Sequence, residues 1–155
     1  MPKKEVQIET LQNYLPVSCF DTIAGYLRQY KVHLTISKKR RSILGDYRHR
    51  TDYKSHRISV NGNLNAYSFL ITLLHELAHL LTFEQFNNKV QPHGPEWKLT
   101  YSKLLEYFLA IKIFHYDKVP AAMKQNRSNP CPVCCLEQHG FLLHSFPRRI
   151  SPSNL

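Results

Sequence analysis

The segment His75-Glu76-Leu77-Ala78-His79 sets two imidazoles four residues apart with a carboxylate beside the first. On a helix that spacing is one turn, so both rings can reach a single zinc ion at about 2.0–2.1 Å. Glu76 projects from an adjacent angle, next to the metal's open position. There it can take a proton from a water and later deliver it to a leaving amine. Two histidines satisfied by hydrogen bonds are the bland alternative for this pentapeptide alone. His93 weighs against it. Catalytic zinc usually takes three protein ligands and keeps a fourth position open. Thirteen residues separate His79 from His93, enough to finish one helix and return. In His93-Gly94-Pro95-Glu96-Trp97, Gly94 permits close backbone approach, and Pro95 suits the first turn of a new helix. The expected centre is therefore Zn²⁺ on His75, His79 and His93, with Glu76 as general base.

The elements that must position these groups can be read from periodicity. From about Asn65 to Phe86 the chain reads as a helix apolar nearly all round. Its polar exceptions, Thr72, His75, Glu76, His79 and Thr82, fall on one face. Burying a carboxylate and two imidazoles without partners costs several kcal/mol, roughly, and a bound cation would offset that. A further helix opens at Gly94-Pro95 and runs to about Phe114, with Trp97, Tyr101, Leu104, Leu105 and Phe108 facing the core. Upstream, Phe20, Ile23, Ala24, Leu27 and Tyr30 recur at helical spacing, with Pro16 in the first turn. Alternation over Lys31–Ser37, Ile43–Arg50 and Ser55–Val60 gives three short strands, the second broken or bulged near Gly45. The expected fold class is α+β: a small, mostly antiparallel three-stranded sheet packed on helices.

The pairing of HELAH with HGPEW, behind a basic, strand-rich segment, resembles the SprT-like metalloprotease domain of the bacterial relatives of Spartan. The resemblance covers roughly Phe20 to Phe114. It implies a zincin-like fold, His75, His79 and His93 as zinc ligands, and Glu76 as general base. It also implies a protein substrate close to DNA, since Spartan-type members clear proteins crosslinked to DNA. Many members carry a C-terminal zinc ribbon of two cysteine pairs. Here Cys131-Pro-Val-Cys134 supplies one knuckle and no cysteine follows Cys135. Residues 1–115 are thus expected to form the SprT-like zincin domain. Residues 116–155 read as a basic linker or tail with a single CxxC knuckle, which His139 and His144 would have to complete to bind a second zinc.

The composition bears on partners. Net charge is +10 over 155 residues, and the charge is clustered. Between Arg28 and Arg57 ten lysines and arginines face only Asp46 and Asp52. Such a run attracts polyanions, and DNA is the expected partner; a solvated basic surface is the bland alternative. Tyr30, Tyr47 and Tyr53 lie among these cations, where they could stack on bases or simply pack. Tyr101 is the candidate to stabilise an oxyanion, with Tyr47, Tyr67 and His56 behind it, but its spacing suits a core aromatic better. The start lacks a signal-peptide core and no unbroken apolar run approaches a bilayer span. With Cys19, Cys131, Cys134 and Cys135 read as reduced thiols, a cytoplasmic monomer, possible at the nucleoid and away from membranes, is expected. Two rival readings stay open: a non-catalytic zinc-containing nucleic-acid adaptor, and a zincin peptidase with no nucleic-acid partner.

Overall fold

The computed structural model describes residues 7–113, so the CxxC knuckle and the boundary at 115–116 lie outside the described residues. A 3-10 turn, Ile8–Asn13, precedes helix α1, Phe20–Gln29. Three strands follow: β1, His33–Ser37; β2, Gly45–Arg48; and β3, Arg57–Asn61. Helix α2, Ala66–Phe86, and helix α3, Pro95–Ala110, complete the order. The 3-10 turn was not legible in the polar start. It carries fully buried Leu11.

The sheet corrects the antiparallel expectation. Its order is β1-β3-β2, with β1 parallel to β3 and β2 antiparallel to β3, so it is mixed. Sequential strands usually pair, but here the β1–β2 connection carries β2 past a gap that β3 fills. Arg40 in that connection explains the detour. Its Nε donates to Asn61 Oδ1 at 2.7 Å and its Nη1 to Ser59 Oγ at 3.0 Å. Asn61 Nδ2 returns a bond to the Ile43 carbonyl at 3.0 Å. The connection is thereby tied to β3, whose Ile58, Ser59, Val60 and Asn61 are all buried, as befits a central strand.

Helix α2 is capped by Asn65, whose Oδ1 accepts the Ser68 amide at 2.9 Å. It ends at Asn87, which takes a left-handed φ of 53° that asparagine tolerates. By length and composition the stretch Ala66–Lys89 could cross a membrane. Instead its apolar faces are spent inside the domain. Phe69, Leu70, Leu73, Leu74, Leu77 and Leu80 are fully buried, sharing one core with Ile23 and Leu27 of α1, Ile58 and Val60 of β3, and Phe108 of α3. Each such side chain contributes about 1.5–3 kcal/mol of burial. Cys19, just before α1, belongs to this core, and burial pushes its thiol up to about 11, which makes it inert.

The polar line on α2 is left for the site. Thr72, Glu76 and Thr82 are buried despite their chemistry, with His75 and His79 half-buried between them.

Candidate metal centre

Helix α2 presents His75 and His79 from successive turns, as the spacing requires. His93 arrives from the loop before α3. Its φ of 58° lies in the left-handed region, uncommon for a side chain of this size and a mark of a position held for a reason. The turn is closed by the Gly94 amide on the Gln91 carbonyl at 2.9 Å. A β-carbon on Gly94 would meet that same carbonyl at 2.9 Å, so glycine is needed for the close approach. Pro95 and Glu96 then open α3, and Trp97 turns inward.

The result is a tight triangle of Nε2 atoms: 3.3 Å from His75 to His79, 2.9 Å from His79 to His93, and 3.1 Å from His93 to His75. A neutral ring nitrogen is a donor or an acceptor, never both, so these three contacts cannot all be hydrogen bonds. Three lone pairs aimed at one cation resolve the conflict. Nitrogen ligands about 2.0–2.1 Å from a tetrahedral metal stand roughly 3.3–3.4 Å apart, close to the spacing seen. Burial, with His93 beside it, holds His75 down at about 4. Burial, with His75 and His93 beside it, holds His79 at about 3. Burial and then Lys98 lower His93 as well. All three rings are therefore neutral at neutral pH, the form that ligates. The donors fit a divalent metal. His93 is exposed, so the cluster opens to solvent on that side.

The walls are aromatic. Trp97 lies with its ring centroid 4.7, 5.2 and 4.6 Å from those of His75, His79 and His93. Its Nε1 is buried without a partner among the described residues. Tyr101 meets His75 edge-on at 5.6 Å, but its hydroxyl points to the Ile71 carbonyl at 3.5 Å, and the residue is buried. That is the packing role its spacing suggested. Tyr67 sits in the first turn of α2, eight residues ahead of His75.

Glu76 follows His75 directly on α2 and is buried, with no hydrogen bond to its carboxylate among the described residues. Burial, then Asp46, pushes it up to about 8, and Arg40 pulls the other way. A carboxyl titrating near neutrality is matched to general-base work. Gly45 explains how it is held. A β-carbon there would lie 2.5 Å from Glu76 Oε1 and 2.8 Å from Thr72 Cγ2. The backbone of β2 thus takes the space a side chain would occupy and backs directly onto Glu76. The sequence marked Gly45 only as a break in a strand.

A second cluster was missed. Tyr47, its ring parallel to that of His79 at 6.2 Å, has its hydroxyl 3.0 Å from His56 Nδ1. The Arg50 amide also donates to Nδ1, at 3.2 Å, so this nitrogen is the acceptor and Nε2 carries the proton. Nε2–H donates to Glu84 Oε1 at 3.1 Å, and Arg50 Nε reaches the same oxygen at 2.9 Å. His56 is buried, and that burial keeps its pKa below the usual histidine range despite Glu84. Tyr47 and His56, both candidates for the oxyanion, spend these polar atoms on each other. Tyr30 and Tyr47 pack against the core, whereas Tyr53 is exposed.

The chain belongs to the SprT-like family, whose model matches residues 9–124. It is similar to Protein SprT of Glaesserella parasuis serovar 5 (strain SH0165), 58% identical over 31 residues, 20% of this chain and 19% of that protein. It is also similar to Protein SprT of Pseudomonas fluorescens (strain Pf0-1), 50% identical over 28 residues, 18% of this chain and 17% of that protein. The matched stretch thus spans less than a fifth of either relative. No solved structure matches.

Proposed function

We propose that this chain is a zinc-dependent metallopeptidase that hydrolyses peptide bonds in proteins bound or crosslinked to DNA. The observation that carries the reading is the Nε2 triangle, no side longer than 3.3 Å, with buried Glu76 alongside. His75, His79 and His93 would hold the ion. When bound, zinc supplies Lewis acidity at the scissile carbonyl and brings the pKa of water towards about 7. Glu76 does the proton work: it accepts a proton from the attacking water and returns it to the departing amine. Gly45 and Thr72 limit where the Glu76 carboxylate can sit, and Trp97 fixes the three imidazoles relative to one another. An exposed His93 leaves room for a polypeptide to approach. The basic run Arg28–Arg57 favours DNA as the partner that brings the substrate near.

The test is zinc content measured beside cleavage of a DNA-binding protein, with and without DNA. One zinc per chain is expected, lost in His75→Ala. Glu76→Gln is expected to keep zinc and lose activity by roughly 10²–10⁴-fold. A Glu76→Gln variant as active as the parent would refute Glu76 as the base. Zinc without cleavage of any protein would favour a non-catalytic adaptor.

A further inference from the structure

We infer that the concave surface at the Arg57 end of the sheet binds the phosphodiester backbone of a nucleic-acid strand; this rests on the nucleic-acid part of the reading above. A cavity of about 520 Å³ is lined there by Arg28, Lys31, His33, Lys54 and Arg57, and by no aspartate or glutamate among the described residues. Arg28 meets Glu9 across an exposed 3.4 Å contact. Lys31 and Lys54 pair with no carboxylate among the described residues. The Nε of Arg57 is buried and without a partner among them. Cations gathered around one concavity repel each other, and a bound polyanion relieves that repulsion while releasing its own counterions.

The shape favours a strand over a single anion. A second cavity, about 460 Å³, shares Lys31, Lys54 and Ser55 with the first and extends to Arg50 and Tyr53. The two adjoin at these shared residues and together give a track. Two acids line its second part: Asp52, exposed at the surface, and Glu84, already taken by Arg50 and His56. Tyr53, 95% exposed beside Lys54, offers a ring on which a base can stack. An acidic peptide would use the cations and leave that ring idle.

The track also divides the basic run in a way its sequence hides. Arg40, in the densest tetrad, is consumed by Asn61 and Ser59 and stabilises the fold. The cations available to phosphate come from α1, the turn between α1 and β1, the loop before β3 and β3 itself. Glu84, at the margin of the track, lies eight residues beyond Glu76 on α2, about 12 Å at 1.5 Å per residue. The strand would thus be held beside the metal cluster and outside it.

The experiment is fluorescence anisotropy of labelled oligothymidylate, about 15 nucleotides long, against the full zinc-loaded chain over a salt series. The cleft variant is Lys31→Asn with Lys54→Gln, asparagine being chosen because Lys31 has a φ of 50°. The comparison variant is Lys38→Gln, Lys39→Gln and Arg41→Gln. Circular dichroism and zinc content identify any variant that fails to fold. Loss of two phosphate contacts predicts binding weaker by about tenfold or more at roughly 50 mM salt, and a log–log salt slope shallower by about 1.4. The comparison variant is expected to change affinity by less than about threefold. Wild-type affinity and slope in the cleft variant would overturn the proposal, as would an equal loss in the comparison variant. Displacement of the oligonucleotide by poly-glutamate at equal charge concentration would assign the cleft to an acidic protein segment instead. A parent chain that cleaves protein but binds no oligonucleotide would remove the cleft and the nucleic-acid partner while leaving the peptidase reading intact.

Discussion

Glu76 and Glu84 lie on one face of the same helix, eight residues apart, and are treated in opposite ways. Glu84 has its charge answered: Arg50 at 2.9 Å and the His56 Nε2 at 3.1 Å share one oxygen. Glu76 is more deeply buried and gets no hydrogen bond among the described residues, with Asp46 near enough to raise its pKa further. Leaving a buried carboxylate without bonds is unfavourable by roughly 1–3 kcal/mol or more, so such a group persists only where something else requires it. A base must keep its lone pairs free for the proton it will accept, whereas a strut must not. The two glutamates show the same residue used as each, and the difference lies in what the neighbouring strands offer. Near Glu84 the chain brings donors; near Glu76 it brings the bare backbone of Gly45.

That contrast can be broken most sharply at Gly45. In Gly45→Ala the new methyl group would lie 2.5 Å from Glu76 Oε1 and 2.8 Å from Thr72 Cγ2, so the carboxylate or the strand must shift. Activity is expected to fall by about tenfold to a hundredfold, the scale of a misplacement near 1 Å. Zinc content should be unchanged, because the three imidazoles are held by α2, Trp97 and the His93 turn. If metal and activity were lost together, β2 would be supporting the triangle itself, and its close approach would not be specific to the base.

A smaller effect separates the two glutamates by titration. In chelated protein Glu76 titrates near 8, above the ordinary carboxylate range, so the folded state holds a proton that the unfolded state has released. Its contribution to stability is therefore present at low pH and lost as pH rises through 8. His75 and His79, held at about 4 and 3, act in the opposite sense. Their contribution is complete above the ordinary histidine range and lost as pH falls through those depressed values. The histidine share is common to wild type and Glu76→Gln, so the difference between the two proteins isolates Glu76. Relative to chelated Glu76→Gln, chelated wild type should lose about 1–2 kcal/mol between roughly pH 6.5 and 8, read from urea midpoints. Parallel curves for the two proteins would mean that Glu76 is ionised already, with an unrecognised partner.

The division between what the sequence disclosed and what it concealed follows the same line. His75, Glu76 and His79 were legible because a helical repeat converts spacing directly into a shared face. His93 was legible because proline and glycine announce the helix start that delivers it. Both signals are local. The mixed sheet was not, because adjacency of strands is decided by long-range packing, here by Arg40 binding Ser59 and Asn61 across about twenty residues of chain. The same remoteness hid Gly45, whose importance exists only once β2 lies against α2. It also hid the Tyr47–His56–Glu84 chain, whose members come from β2, the residue just before β3, and α2. The sheet was expected from its alternation, while its order required partners that no window of sequence contains.

The most modest change tests the other member of the pair. Glu84→Gln keeps the shape and leaves an oxygen that can still accept from Arg50 and His56, so only the charge is withdrawn. Arg50 is 60% exposed and solvent screens much of its share. His56 is buried, and its Nε2–H would keep a neutral acceptor in place of a charged one. A loss of about 1 kcal/mol is expected, a fall of roughly 4–8 °C in midpoint for a folded unit of this size. Zinc content and cleavage rate should remain within about twofold of the parent, since among the described residues the network reaches the metal cluster through the ring of Tyr47 against His79. A variant that kept its zinc and its stability yet lost turnover as completely as Glu76→Gln would transfer the proton-handling role to Glu84. The unpaired carboxylate at Glu76 would then need another explanation.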